Sequence, residues 1–300
     1  MNFAKISPFS SFFAISTITV LCFFGLPVAM AESKTQIPPV ATSNHIKASL
    51  KVMSLNLAHG RKKSLNQLLV STARTRENIS DISTVLNREK IDVVALQEAD
   101  GPSRWSGKFD HVALLSNKAA YPARAHSLHA QNWIYNYGTA LISKSVFTET
   151  IDHTFAPTPP TTNKGFTLGQ ISWQVSPSSE DVKLVDIISV HLDFSRKEVR
   201  EQQIAEMVSV LEHREYPAII MGDFNSDWLA DDRVVRELAD QANLHTYSPE
   251  ALNMGTYPRS SKRLDWILIS EELEFLDYKT LSDVLSDHLA VIATVRIIRP

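Results

Sequence analysis

The sequence predicts a four-layered α/β sandwich, with two packed, mainly antiparallel β-sheets flanked by helices. Three observations lead there. Strand-like apolar runs outnumber helical patterns after Leu50. Several of those runs follow one another with no helix between them, whereas a doubly wound parallel sheet needs a crossover after each strand. The longer helical stretches carry an apolar stripe, as helices covering a sheet should.

The elements follow in order. Residues 52–57 form the first strand. Ile79, Ile82 and Leu86 recur at helical spacing and predict a helix over 74–89. The run Ile91-Asp92-Val93-Val94-Ala95-Leu96 is a buried strand, and 138–143 and 166–175 are further strands. Pro157, Pro159 and Pro160 make 155–165 a loop. A turn at 176–181 precedes a strand at 183–192. Ile204, Met207 and Leu211 mark a helix at 196–213, followed by a short strand at 218–221 and a brief helix at 233–240. Late strands at 264–269 and 290–297 complete the domain.

The first thirty-one residues stand apart. Lys5 precedes an uncharged apolar core at 11–24, then Pro27 and Ala29-Met30-Ala31. This is the layout of a secretory signal peptide cleaved after Ala31. An uncleaved anchor is the alternative, although the apolar core is shorter than the ~20 residues that span a bilayer. The reading is export, to the periplasm or the medium, with no stable membrane insertion after cleavage. Residues 32–48 read as a flexible lead and 49–300 as one domain, expected to be monomeric. The only cysteine is Cys22, so no disulfide is expected. The formal net charge of −3 shows no overall basic surface for nucleic acid or membrane, although a local basic cleft is compatible with it.

Polar residues recur where apolar strands end. Asn56, Glu98, His191, Asp223, Asp265, Asp287 and His288 each adjoin a run of buried character. Each has an ordinary explanation: a cap or turn for Asn56, an arginine partner for Glu98, a satisfied core histidine for His191. Gly222-Asp223-Phe224-Asn225 reads as a tight turn, Asp265 as a strand-edge charge and Asp287 as an N-cap. The recurrence argues for a shared site, because buried carboxylates need a charged partner or a metal. Asp223 and Asn225, two residues apart, would face the same way in an extended strand.

These segments resemble the endonuclease/exonuclease/phosphatase superfamily. The resemblance rests on Ser54-Leu55-Asn56-Leu57, Leu96-Gln97-Glu98, Tyr137-Gly138-Thr139-Ala140-Leu141-Ile142-Ser143, Val190-His191-Leu192-Asp193, Gly222-Asp223-Phe224-Asn225, Thr256-Tyr257-Pro258, Arg263-Leu264-Asp265-Trp266-Ile267 and Ser286-Asp287-His288-Leu289-Ala290, in family order. One departure is Ser189-Val190 where the family often has Asn-Thr before the histidine. The resemblance implies a DNase-like fold and metal-dependent hydrolysis of phosphate esters. It implies Glu98, Asn56 and Asp287 at a metal, Mg²⁺ or Mn²⁺ with Ca²⁺ also compatible. His191, Asp223, Asn225, Asp265 and His288 are implied in catalysis, with either Asp223 or His288 as base, and Tyr137 and Thr256 in contact with substrate phosphate.

Several substrates remain open. The basic cluster Arg61-Lys62-Lys63 after Asn56 favours an endonuclease-like phosphodiesterase acting on DNA or RNA. Export is equally compatible with a phospholipid or small-molecule phosphodiesterase of sphingomyelinase type, and a phosphomonoesterase would need a denser basic pocket. A non-catalytic binding protein on the same scaffold is the remaining alternative.

Overall fold

The computed structural model describes residues 45–174, 182–231 and 233–298, which lie in one unit, Ala41–Pro300. The expected signal peptide, the lead up to residue 44 and the turn at 176–181 fall outside the described residues. In chain order the elements are β1 (His45–Ile46), β2 (Leu50–Asn56), α1 (Thr72–Glu89), β3 (Val93–Asp100), α2 (His111–Lys118), β4 (Ala123–Gln131), β5 (Asn136–Ser143), β6 (Phe147–Thr154), β7 (Gly165–Gln174), β8 (Val182–His191), α3 (Lys197–Leu211), β9 (Ala218–Asp223), α4 (Val234–Gln241), β10 (Leu244–Thr246), β11 (Asp265–Ser270), β12 (Leu273–Thr280) and β13 (Val291–Ile297).

They build two sheets. One has the order β1-β7-β8-β9-β11-β10, with β6 also paired to β7; the other runs β12-β13-β2-β3-β5-β4. Pairing is antiparallel except at β1/β7, β2/β3 and β8/β9. The expected two-sheet sandwich is therefore the observed fold. His45 and Ile46, expected in the flexible lead, instead pair with Trp173 and Gln174 at the edge of β7.

Period-two alternation distributes the apolar side chains among three layers. Met53, Leu55, Val94 and Leu96 face α1 and α2, meeting Ile79, Ile82, Leu86, Val112 and Leu115. Leu50, Val52, Val93 and Ala95 face the other sheet and pack on Val185, Ile187, Ile219, Met221, Ile267 and Ile269. Ile188, Val190 and Ile220 face outward beneath Ile204 and Met207 of α3 and Val235 and Leu238 of α4. The order of layers is thus helices, sheet, sheet, helices. Among the described residues, no helix is long and apolar enough to cross a membrane.

Helix α1 starts where the Ser71 hydroxyl accepts from Arg74 N–H at 3.3 Å and stops at Lys90 in the left-handed region. The short α2 starts on the Asp110 carboxylate, which accepts from Ala113 N–H at 2.8 Å. Helix α2 and strands β4, β6, β10 and β12 were absent from the sequence reading. Strands β4 and β6 alternate poorly because polar residues occupy much of both.

Candidate active site

The layer between the sheets changes character along the strands. On β2, the residues facing the opposite sheet run Leu50, Val52, Ser54, Asn56, and on β3 they run Val93, Ala95, Gln97. On β8 they run Val185, Ile187, Ser189, His191, and on β9 Ile219, Met221, Asp223. Strand β11, antiparallel to β9, reads Ile269, Ile267, Asp265 toward the same end. Strand pairing places His191 opposite Asp223 and Asp223 opposite Asp265, so three strands deliver one polar row. Gly222 permits the close approach of β8, since a Cβ there would lie 2.0 Å from the Val190 carbonyl oxygen.

Asp223 is the hub of that row. Its Oδ2 accepts from Asn56 Nδ2 at 3.0 Å and stands 3.5 Å from His191 Nε2 and 3.9 Å from His288 Nε2. Its Oδ1 accepts from Asn225 N–H at 3.0 Å. Burial pushes the Asp223 carboxyl up to about 6, with Asp265 adding to the rise and His288 opposing it. The Asp265 Oδ2 contacts His288 Nδ1 at 2.8 Å and accepts from the Thr256 hydroxyl at 2.6 Å. Burial disfavours charge on His288, but Asp265 and Asp223 outweigh it and lift the imidazole to about 10. His191 is driven the other way, well below its usual range, by burial and by the Lys164 ammonium. The row therefore offers an anionic acceptor with a cationic and a neutral imidazole nitrogen each within 3.9 Å of it.

Glu98 comes from the parallel neighbour of β2. A register irregularity between Leu96 and Ala99 puts it at φ +46 and turns its carboxylate into the cavity. Burial favours its neutral acid, yet His59, His191, Lys164 and His288 hold it down at about 2. The carboxylate accepts no hydrogen bond among the described residues; His59 Nε2 stands 3.4 Å from its Oε2. Asp287 sits on the rim with its Oδ2 accepting from Arg61 Nη2 at 2.8 Å. A cavity of about 410 Å³ is lined by Asn56, Glu98, His191, Asp223, Asn225, Asp287 and His288, together with Arg61, Tyr257 and Lys262.

Eight of the ten residues singled out in the sequence are thus gathered here: those seven, and Asp265 directly behind His288. Tyr137 and Thr256 are placed differently. The Tyr137 ring packs on His59 and its hydroxyl bonds Thr162 Oγ1 at 2.7 Å. Thr256 is fully buried, and its hydroxyl is spent on Asp265 and on the N–H groups of Leu264 and Asp265. Neither lines the cavity. Asn225 lies not in an extended strand but at φ +50 in a turn, where its Nδ2 donates to Leu192 O. Lys164 was missed. It is buried, with Nζ 3.2 and 3.3 Å from the His191 ring nitrogens, and burial lowers its ammonium below the usual range. It lies in the proline-containing loop 155–165, where no sequence pattern marks a lysine as buried.

The sequence over residues 53–288 matches the model of the Endonuclease/Exonuclease/phosphatase family. The chain belongs to that family. Its members are metal-dependent phosphoesterases, nucleases and phosphatases among them. No curated protein sequence matches the chain. Solved structures similar to it include an endonuclease/exonuclease/phosphatase family protein from Leptotrichia buccalis C-1013-b, at 19% identity and TM-score 0.64 over 83% of this chain and 100% of that one. The human Nocturnin catalytic domain with bound sulfate aligns at 15% identity and TM-score 0.62, covering 85% and 96%. A mannosyl-6-phosphatase of Bacteroides thetaiotaomicron VPI-5482 aligns at 17% and 0.57, covering 84% and 100%. At these identities the likeness is one of fold.

The residues fit the family's need for a cation. Glu98 presents an ionised, oxygen-donating carboxylate that no protein hydrogen bond occupies among the described residues. Asp223, Asp265 and His288 also converge, with ligand atoms within 4.8 Å. In that group Asp265 Oδ2 is engaged by His288 and Thr256, while its Oδ1 is buried without a hydrogen-bond partner among the described residues.

Proposed function

We propose that this family member is an exported phosphodiesterase, dependent on a divalent cation held by Glu98. The observation that carries the reading is the placement of Asp223 between His191 and His288 in the same cavity as Glu98. A bound Mg²⁺ or Mn²⁺ would neutralise charge on the phosphoryl oxygens, with Asn56 and Asp287 completing a donor set around Glu98. Asp223, raised to about 6, is ionised at neutral pH and basic enough to orient and deprotonate water. The Asn56 amide and Asn225 N–H fix its two oxygens. His288 stays protonated, held charged and oriented by Asp265, and donates to the charge that develops on phosphoryl or departing oxygen. His191, neutral beside Lys164, donates to the same group from the other side. The Asn225 side chain faces the cavity as a further donor near the phosphate.

Charge distinguishes among substrates. The basic cluster that favoured nucleic acid is largely consumed: Arg61 bonds Asp287, and Lys62 bonds Asp81 at 2.6 Å. A singly charged small or lipid-derived diester suits the remaining cations better than a polyanionic backbone or a dianionic monoester. Export rests on Lys5, the apolar run at 11–24 and Ala29-Met30-Ala31. Purified residues 32–300 should hydrolyse bis-p-nitrophenyl phosphate with Mg²⁺ or Mn²⁺ and lose the activity with EDTA. Sphingomyelin, plasmid DNA, RNA and p-nitrophenyl phosphate are the comparison substrates. Faster cleavage of DNA or RNA would replace the small-diester reading with the nuclease one. Inactivity on every substrate, with tight phosphate-ester binding unaffected by chelator, would replace it with a binding protein.

A further inference from the structure

His59 is held with unusual firmness beside Glu98. Ala58, His59 and Gly60 occupy the left-handed region in succession, at φ +44, +54 and +68. For the two residues with a Cβ this conformation costs roughly 1–2 kcal/mol each. Strain of this kind persists where surrounding structure fixes a functional group. Tyr137 and Trp105 enclose the imidazole edge-on, with ring centroids 4.7 and 5.4 Å away. Asp100, whose side chain is fully buried, takes its Nδ1 at 2.9 Å. That contact leaves Nε2 as the ring nitrogen beside Glu98, which is itself a left-handed residue.

Nε2 and Glu98 Oε2 are 3.4 Å apart, and no hydrogen bond joins them among the described residues. Two donors on adjacent positions of one ion, each ~2.1 Å from it, stand about 3 Å apart. The separation is one that two ligands of a single ion can adopt, and the pair shares no hydrogen bond that an ion would have to displace. Asp100 supplies what metal-binding histidines ordinarily have, a carboxylate on the other ring nitrogen.

We propose that His59 is a nitrogen ligand of the cation held by Glu98, so that the site is a mixed imidazole–carboxylate one. This rests on the reading of Glu98 as the cation-holding residue. Imidazole suits transition ions better than Mg²⁺, whose preferred partners are oxygens. The site accordingly selects Mn²⁺ or a neighbouring first-row ion over Mg²⁺.

The test uses Mn²⁺ alone, without substrate, on the mature chain. Pulsed EPR of bound Mn²⁺ should show imidazole nitrogen coupling in the native protein, retained in His191→Gln and His288→Gln and lost in His59→Gln. His59→Gln should weaken Mn²⁺ at least 10-fold and Mg²⁺ by clearly less. Asp100→Asn should weaken Mn²⁺ by about 10–100-fold while keeping the coupling. Mn²⁺ binding that depends on Glu98 but shows no nitrogen coupling would overturn the His59 assignment and leave Glu98 in place. So would coupling that survives His59→Gln or vanishes in His191→Gln or His288→Gln. If His59→Gln does not fold, the native, His191→Gln and His288→Gln spectra decide by themselves. Absence of Mn²⁺ binding in the native protein, or binding unchanged in Glu98→Gln, would overturn both assignments.

Discussion

The two ends of the inter-sheet layer are made by the same strands and differ in almost everything else. At one end Val52, Val93, Val185, Ile187, Ile219 and Ile269 are fully buried and purely aliphatic. At the other, the inward-facing residues are Asn56, Gln97, His191, Asp223 and Asp265, also nearly inaccessible. Burial stabilises the first set and perturbs the second: Asp223 is pushed up and His191 down, while carboxylates hold His288 protonated. The same desolvation thus supports the fold at one end and poises acids and bases at the other. Stability and chemistry are separated along the strands rather than between domains.

That separation can be attacked from either end. The largest effect should come from the polar end: His288→Ala or Glu98→Ala should lower diester hydrolysis by about 10³-fold or more. Thermal unfolding of both should stay cooperative, and hydrolysis with calorimetry on the same samples checks this. From the aliphatic end, Ile219→Ala should cost about 2–5 kcal/mol in denaturant unfolding, with activity per folded molecule unchanged. A comparable loss of specific activity in that variant would mean that the two ends are mechanically coupled. The pH profile sharpens the comparison further. Activity should fall as pH drops through about 6, where Asp223 gains its proton, and again as pH rises through about 10, where His288 loses its own. Asp265→Asn removes a carboxylate that raises His288, so the alkaline limb should move to lower pH; Ile219→Ala should leave both limbs in place. The smallest effect belongs to the border residue Gln97, whose Nε2 donates to Ser189 Oγ while its Oε1 is buried without a partner among the described residues. Gln97→Met should change stability by no more than about 1 kcal/mol, with activity reduced less than 10-fold.

Much of the framework was legible in the sequence because it rests on alternation and periodicity. Strands β2, β3, β7, β8, β9, β11 and β13 and helices α1 and α3 all announce themselves by apolar spacing. Strand β4 did not, because its buried polar residues are satisfied by distant partners. Ser127 accepts from Thr167, and His129 bonds both Thr139 and Thr154. Strand β6 is half solvated and lacks the signal altogether. In the site, the resemblance located the cavity residues, but it expected Thr256 at the phosphate, where the structure gives its hydroxyl to Asp265. Lys164 shows the reverse case, unmarked in the sequence and part of the charge of the site.

What the sequence determined was which strands end in polar residues and on which face, since a period of two is local. Where those ends meet was decided by tertiary structure. Asn56 and Asp223 are 167 positions apart in the chain and 3.0 Å apart in space. Protonation was decided there as well, because it depends on burial and on charges brought within a few ångströms by strand register. Two carboxylates and two imidazoles of the same intrinsic chemistry therefore end up with opposite tendencies. Glu98 is held down and Asp223 raised, His191 is kept neutral and His288 charged.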